Sequence, residues 1–168
     1  MEFSTIVYTV LGFVFFVYLV SAVFGVPYLS VHNKQAKKMI DLSGLRAGQK
    51  AVDLGSGVGN LLFLAAERGG IAIGYELNPF LVLINKYLIW KNKAGDKVSV
   101  KLKSLYQADL KDVDVVFAFL LPGPMEKLEK KLFSELKNGA LILSYAFPIP
   151  NQTPIKKEQG IFVYQVGK

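Results

Sequence analysis

The sequence contains no cysteine and a single histidine, His32. The first absence removes disulfides, thiolate metal ligands and a cysteine nucleophile. The second leaves no histidine-based zinc site and no Ser-His relay, so no metal is expected. Arginine is scarce as well: Arg46 and Arg68 stand against eighteen lysines, and the net charge of +7 is almost entirely ammonium. Proteins that read bases favour arginine for two-pronged hydrogen bonds, and no aromatic-basic stripe occurs, so no nucleic-acid partner is expected. A lysine-rich face beside anionic lipid is the simpler reading.

Charge is missing altogether from residues 3–33, and residues 6–26 are almost wholly apolar. About 20 such residues in a helix rise roughly 30 Å, the thickness of a bilayer core. A cleaved signal peptide has a basic start and a shorter apolar run, whereas only Glu2 precedes this one. The expectation is a single-pass membrane anchor over 1–26, with Pro27 ending or turning the helix. Lys34, Lys37 and Lys38 follow it directly. The positive-inside rule then places the N-terminus outside a cell (inner) membrane and the remaining chain in the cytoplasm.

After the apolar run the pattern changes. Residues 33–40 read as a short amphipathic helix and 44–48 as a turn, so 27–49 forms a linker. Strand and helix signals then alternate over 50–168. Strands are expected at 50–54, 71–75, 98–103, 113–121, 140–147 and 161–166. Helices are expected at 60–67, from Pro79 to about 93 with Asn78 as its cap, and from Gly123-Pro124 through 136. This is the pattern of a compact α/β domain with a largely parallel sheet, and such sheets bind ligands at the carboxyl ends of their strands.

The residues with most chemistry lie in Val52-Asp53-Leu54-Gly55-Ser56-Gly57-Val58-Gly59-Asn60. Gly55, Gly57 and Gly59 fall between a strand and a helix, where backbone amides and a helix N-terminus face a ligand. Asp53 precedes them inside the strand end. Glu76 ends the next strand, where a carboxylate accepts both hydroxyls of a ribose; its alternative role is to cap the helix at Pro79. A dinucleotide fingerprint starting at Gly55 requires glycine or alanine at position 60, which is Asn60. An NAD(P)-dependent Rossmann oxidoreductase is therefore the less favoured alternative. Other charges read blandly: Lys97, Lys101 and Lys103 as the wet side of an edge strand, Asp109, Asp112 and Asp114 as a turn, and Glu126 with Lys130 as a solvated i,i+4 pair.

The acid-first pattern D-x-G-x-G-x-G resembles motif I of the class I S-adenosylmethionine-dependent methyltransferases. Four further segments narrow the resemblance. They are Val26-Pro27-Tyr28 after the apolar run, Gly74-Tyr75-Glu76-Leu77-Asn78-Pro79-Phe80 after the second strand, the helix from Met125 to Leu136, and Phe147-Pro148-Ile149-Pro150. Together they are similar to the membrane-anchored protein-lysine methyltransferases whose mitochondrial members modify the ATP synthase c-subunit and the adenine nucleotide translocase.

The resemblance implies a Rossmann-like class I methyltransferase sheet after the anchor, and S-adenosyl-L-methionine as cofactor. It implies cofactor contacts from Asp53, Gly55, Ser56, Gly57, Gly59, Asn60, Glu76 and Leu77, with Ser104 and Leu105 at the adenine. It also implies a lid from Pro27-Tyr28 and a protein substrate, an integral membrane protein. Departures are Val58, where the family commonly has aspartate, and Ser104, where it has an acid. The loop after the fourth strand reads Leu121-Pro122-Gly123-Pro124, with no polar side chain where many amino-methyltransferases have Asn/Asp-Pro-Pro-Tyr. Tyr28 and Pro122 are the candidate catalytic positions, each with a bland alternative as an interfacial aromatic and a helix start. A catalytically silent, cofactor-binding membrane protein is the other alternative.

Overall fold

The computed structural model describes residues 3–24 and 31–167. Helix α1 (Phe3–Phe24) and helix α2 (Asn33–Ser43) precede an alternating series. This runs β1 (Lys50–Leu54), α3 (Asn60–Glu67), β2 (Ile71–Glu76), α4 (Pro79–Lys91), β3 (Val98–Leu102), β4 (Val115–Ala118), α5 (Pro122–Glu135), β5 (Leu141–Tyr145), β6 (Lys156–Glu158) and β7 (Ile161–Gln165).

The strands form one sheet in the order β3-β2-β1-β4-β5-β7-β6. The first five are parallel; β7 runs antiparallel to both β5 and β6. β1 and β4 are adjacent, but β1 continues to β2 on one side and β4 to β5 on the other. Their loops diverge there and leave a crevice at the carboxyl edge.

Each face of the sheet has its own core. One unites Ala51, Ala72, Val115, Phe117 and Leu143 with Ala36, Met39 and Ile40 of α2 and Leu61, Leu62 and Ala65 of α3. The other unites Val52, Leu54, Val116, Ala118 and Ile142 with Met125, Leu128 and Leu132 of α5. Alternate residues of β1 therefore serve opposite cores, which fixes the register at which Asp53 pairs with Gly74 and Phe117. Tyr75 is buried in the second core, and its hydroxyl accepts from the Asp109 N–H at 2.9 Å. The Phe147–Ile149 turn is pinned likewise: the Ile149 N–H donates to the Tyr164 hydroxyl at 2.8 Å.

Several expectations shift. Helix α2 continues to Ser43, ending on Gly44 in the left-handed conformation. The expected strand at 113–121 pairs only over Val115–Ala118, and α5 begins at Pro122 rather than Gly123. β6 lies inside the stretch read as linker, fastened to α2 by Glu158 pairing with Lys38. The Glu126–Lys130 pair is not among the ion pairs of the described residues; Lys131 and Glu135 pair instead. β3 is an edge strand, as expected for its lysines.

The apolar N-terminal segment is helical over Phe3–Phe24, and the Phe13 ring meets Phe80 edge-to-face at 6.2 Å. Among the described residues no helix is long and apolar enough to cross a membrane. Side chains of α1 are described over residues 3–18, which rise about 24 Å against a bilayer core of about 30 Å. The end of the expected anchor and most of the expected lid, Pro27 and Tyr28 included, lie outside the described residues.

Candidate functional site

The crevice beside β1 is built from three loops. The first leaves β1 at Leu54 and passes Gly55, Ser56, Gly57 and Gly59 before α3. Each of the three glycines has positive φ, which folds the chain into a tight cup. At Gly59 the need for glycine is also steric: a Cβ there would lie 2.1 Å from Asn85 Oδ1. The second loop leaves β2 at Glu76. The third leaves β4 through Phe119 and Leu120.

Glu76 joins the first two loops. Its Oε2 accepts from the Gly57 N–H at 2.9 Å, and its Oε1 accepts from Leu77 N–H at 2.9 Å and Asn78 N–H at 2.8 Å. The alternative role expected for Glu76, at the start of α4, is thus visible. Glu76 braces the turn into α4, and with roughly four lone-pair sites it keeps acceptor capacity beside the glycine cup. Asn78 caps α4 as expected, its Oδ1 accepting from the Phe80 N–H at 3.0 Å.

Asp53 lies beneath the cup, only 5% exposed, and none of the described residues donates a side-chain or backbone hydrogen bond to its carboxylate. Burial, and secondarily the charge of Glu76, push its pKa up from 3.8 to about 7. Ser56 is buried, and its Oγ has no partner among the described residues. It packs against Gly74 of β2, where a Cβ would come within 2.6 Å of that oxygen. A buried carboxyl with no donor, an orphaned hydroxyl and the N-terminus of α3 thus converge. They suit a ligand bearing a cationic group and further polar atoms.

Asn60 opens α3, and its Nδ2 donates to the Val31 carbonyl at 3.3 Å. Val31 therefore roofs the glycine cup, three residues after the expected lid position Tyr28. Beneath it is a cavity of about 20 Å³ lined by Val31, Asp53, Ser56, Asn60, Leu61 and Phe119. That is room for one water, so a ligand entering here displaces the roof.

Asn85 is the residue the sequence reading missed. It is fully buried on α4, and its Nδ2 donates to the Gly57 carbonyl at 2.6 Å and the Leu81 carbonyl at 2.8 Å. No local signal set it apart: it stands beside Lys86 between the apolar runs Phe80–Ile84 and Tyr87–Trp90 of α4. Phe119 and Tyr145 were missed too. Their rings meet edge-to-face at 4.9 Å at the carboxyl ends of β4 and β5.

The remaining candidates sit further out. Leu77 leaves its side chain 41% exposed next to Glu76. Ser104 caps the short 3-10 turn Leu105–Gln107, its Oγ accepting from the Tyr106 N–H at 3.4 Å, while Leu105 is buried. Both follow β3, whose last turn is tied to Glu76 by the Lys103 N–H donating to its carbonyl at 3.2 Å. Pro122 is the exposed first residue of α5, and the Leu121 carbonyl accepts from the Met125 N–H at 3.1 Å. Pro122 thus has a visible helix-starting role, and the carbonyl before it is already engaged. Among the described residues no cluster of His, Asp or Glu is arranged to hold a metal ion.

Comparison with known proteins gives consistent similarities. A family described as the ANTKMT methyltransferase domain matches residues 53–156. The human ATP synthase C-subunit lysine N-methyltransferase is 34% identical over 128 residues, 76% of this chain and 54% of its own length. The mouse adenine nucleotide translocase lysine N-methyltransferase is 39% identical over 132 residues, 77% of this chain and 57% of its own. The chain thus spans little more than half the length of these mammalian relatives. A protein-lysine N-methyltransferase of Saccharolobus islandicus is 29% identical over 85% of this chain and 95% of its own length. Among solved structures, an RNA methyltransferase from Salinibacter ruber in complex with S-adenosyl-L-homocysteine superposes with a TM-score of 0.76 at 27% identity, covering 82% of this chain and 92% of that one.

Proposed function

This chain belongs to the ANTKMT methyltransferase domain family, whose cofactor is S-adenosylmethionine, and from that premise we propose that it methylates a lysine of a membrane protein. The observation that carries the proposal is the junction of Asp53, the glycine cup and Glu76. Two carboxylates flank the cup, and three backbone N–H groups hold Glu76 in place.

Bound S-adenosylmethionine supplies an electrophilic methyl on a cationic sulfonium. The residues that would hold it are Asp53 and Ser56 below, Gly55, Gly57 and Gly59 around, and Glu76, whose spare acceptor sites would serve the ribose hydroxyls. Ser104, Leu105 and Leu77 would serve the base. The protein's remaining tasks are to align a neutral amine and to exclude water. Phe119, Val31 and Leu61 give the deep end of the crevice apolar walls. Such walls disfavour an ammonium relative to an amine, which lowers the pKa of an entering lysine. The Phe119–Tyr145 pair lies beside this point and presents ring surface to the alkyl stem.

The membrane part of the proposal rests on α1. It is helical over Phe3–Phe24 with no acidic residue in its first turn and no basic residue in its last. We read 1–26 as a single-pass anchor with the catalytic domain in the cytoplasm, because Lys34, Lys37 and Lys38 follow it. Anchoring raises the effective concentration of substrates in the same bilayer. The family relatives named for ATP synthase and for the translocase support an acceptor of that kind.

Calorimetry with S-adenosylhomocysteine and with NAD tests the cofactor half: binding of the first alone is expected, and binding of NAD alone overturns it. Incubating the protein and membrane fractions with labelled methyl donor tests the acceptor half. Label confined to soluble small molecules would sink the protein substrate.

A further inference from the structure

Helix α4 is apolar on the wrong side as well as the right one. Val82 and Asn85 are buried against the sheet, and Ile89 packs on the same core. A surface helix ordinarily turns polar residues to the other face. Here that face holds Phe80, Leu83, Ile84, Tyr87 and Trp90, spaced by three and four so that they form one stripe. Leu83 is 62% exposed, Tyr87 55% and Trp90 76%. The Tyr87 and Trp90 rings meet tilted at 6.1 Å, and together they show solvent roughly 250 Å² of ring surface at about 200 Å² per aromatic side chain. Apolar patches of several hundred Å² mark contact sites.

The charge around the stripe has one sign. Lys86 and Lys91 lie beside it on the helix. Lys93 continues into the loop beside Asp96, whereas Lys101 of β3 turns to the other face of the sheet, its ammonium 5.4 Å over the buried Tyr75 ring. None of Lys86, Lys91 and Lys93 is in an ion pair among the described residues, whereas Lys38, Lys131, Lys137 and Lys156 each have one. Between the end of α4 and β3 lies an open groove of about 860 Å³ with the same mixture, Trp90 and Val98 beside Lys86, Lys91 and Lys93. Leu102, 55% exposed, extends the apolar surface along β3. At the other end of the stripe, Phe80 touches Phe13 of α1.

We propose that the α4 face, bordered by β3, docks on the surface of a bilayer containing anionic lipid, with Tyr87 and Trp90 at headgroup depth and the lysines on lipid phosphates. Aromatic rings prefer this depth, and each lysine near an anionic surface is attracted by its potential. The contact goes beyond the anchor, since it belongs to the catalytic domain; α1 meets the stripe at Phe80, through Phe13. Its consequence is positional. The start of α4 adjoins Glu76, so a domain lying on α4 holds the crevice at headgroup level, facing along the membrane.

Trp90 is the chain's only tryptophan, so its fluorescence reports on this face without labelling. The full chain is mixed with vesicles of phosphatidylcholine alone, or with phosphatidylserine as a minor component, each also made with brominated acyl chains. The expected result on the anionic vesicles is a blue-shifted emission quenched by the bromolipid. Lys86→Gln with Lys91→Gln should weaken the anionic preference about 25-fold, at about 5-fold per lysine. About 1 M salt, with a screening length of about 3 Å, should weaken it likewise. Leu83→Ser should reduce the quenching while leaving affinity for S-adenosylhomocysteine unchanged. Unquenched emission on both vesicle types overturns the proposal, and so does a blue shift without bromolipid quenching, which signals a second copy or another protein on the face. Flotation with neutral vesicles reports the anchor separately, so failure of α1 to insert and failure of α4 to dock are distinguishable.

Discussion

Replacing Asp53 with asparagine should stabilise the ligand-free protein while destroying its cofactor site. The carboxyl group is 5% exposed, and burial together with Glu76 raises its pKa from 3.8 to about 7. Between those values the folded state binds more protons than the unfolded state, so stability falls as pH rises through that window. Below pH 3.8 the ionisation cost is absent; above about pH 7 it is fully present. A gap of about 3 units at 1.36 kcal/mol each makes the cost on the order of 4 kcal/mol. Asparagine stays neutral at every pH, but its amide lacks partners too, at about 1–3 kcal/mol. Asp53→Asn should therefore gain roughly 1–3 kcal/mol at about pH 8, or about 5 °C in midpoint for a chain of this size. The advantage should vanish or reverse towards pH 4. Thermal unfolding of the full chain in detergent micelles across this range, with calorimetry against S-adenosylhomocysteine, makes the measurement. A variant that is no more stable at pH 8 than at pH 4, relative to the parent, refutes the reasoning.

Further expectations use the same geometry. Affinity for the cationic methyl donor should rise with pH through about 7, because Asp53 must lose its proton to pair with it; isothermal titration at several pH values checks this. Glu76→Gln puts an NH₂ group against backbone donors that now face oxygen, and should cost about 2 kcal/mol of stability and at least about tenfold in product affinity. Asn85→Ala removes the side-chain donor of the Gly57 carbonyl and should destabilise by about 1–3 kcal/mol in denaturant melts, loosening the cup without touching ligand. Phe119→Ala should lower turnover more than cofactor affinity, which kcat measured at saturating donor separates from binding.

Much of this was legible in the residues, and the exceptions have physical causes. The central strands, the 60–67 helix and the Asn78-Pro79 start of α4 follow from local signals: apolar runs, glycine breaks and a capping side chain. Asp53 and Glu76 were findable because an acid at the end of a strand next to glycines is a local pattern. β6 was not, since Lys156–Glu158 is short, polar and held by pairing with β7 and an ion pair to Lys38. The meeting of Phe119 with Tyr145 depends on β4 lying beside β5, a non-local fact. Asn85 looked like an ordinary polar residue of a surface helix until burial revealed its bonds to the glycine loop. The exposed stripe of α4 was hidden for the opposite reason: a helix apolar all round reads as buried.

The central claim is that the Asp53–glycine–Glu76 site delivers a methyl group to a lysine. The most direct measurement incubates the purified full chain and membranes with methyl-deuterated S-adenosylmethionine, then maps the label by mass spectrometry of digested protein. The account predicts deuterated methyl on the Nε of lysine in an integral membrane protein, strongly reduced at sub-saturating donor when the Glu76→Gln variant is used. Label on another side chain, or undiminished label with that variant, would contradict it.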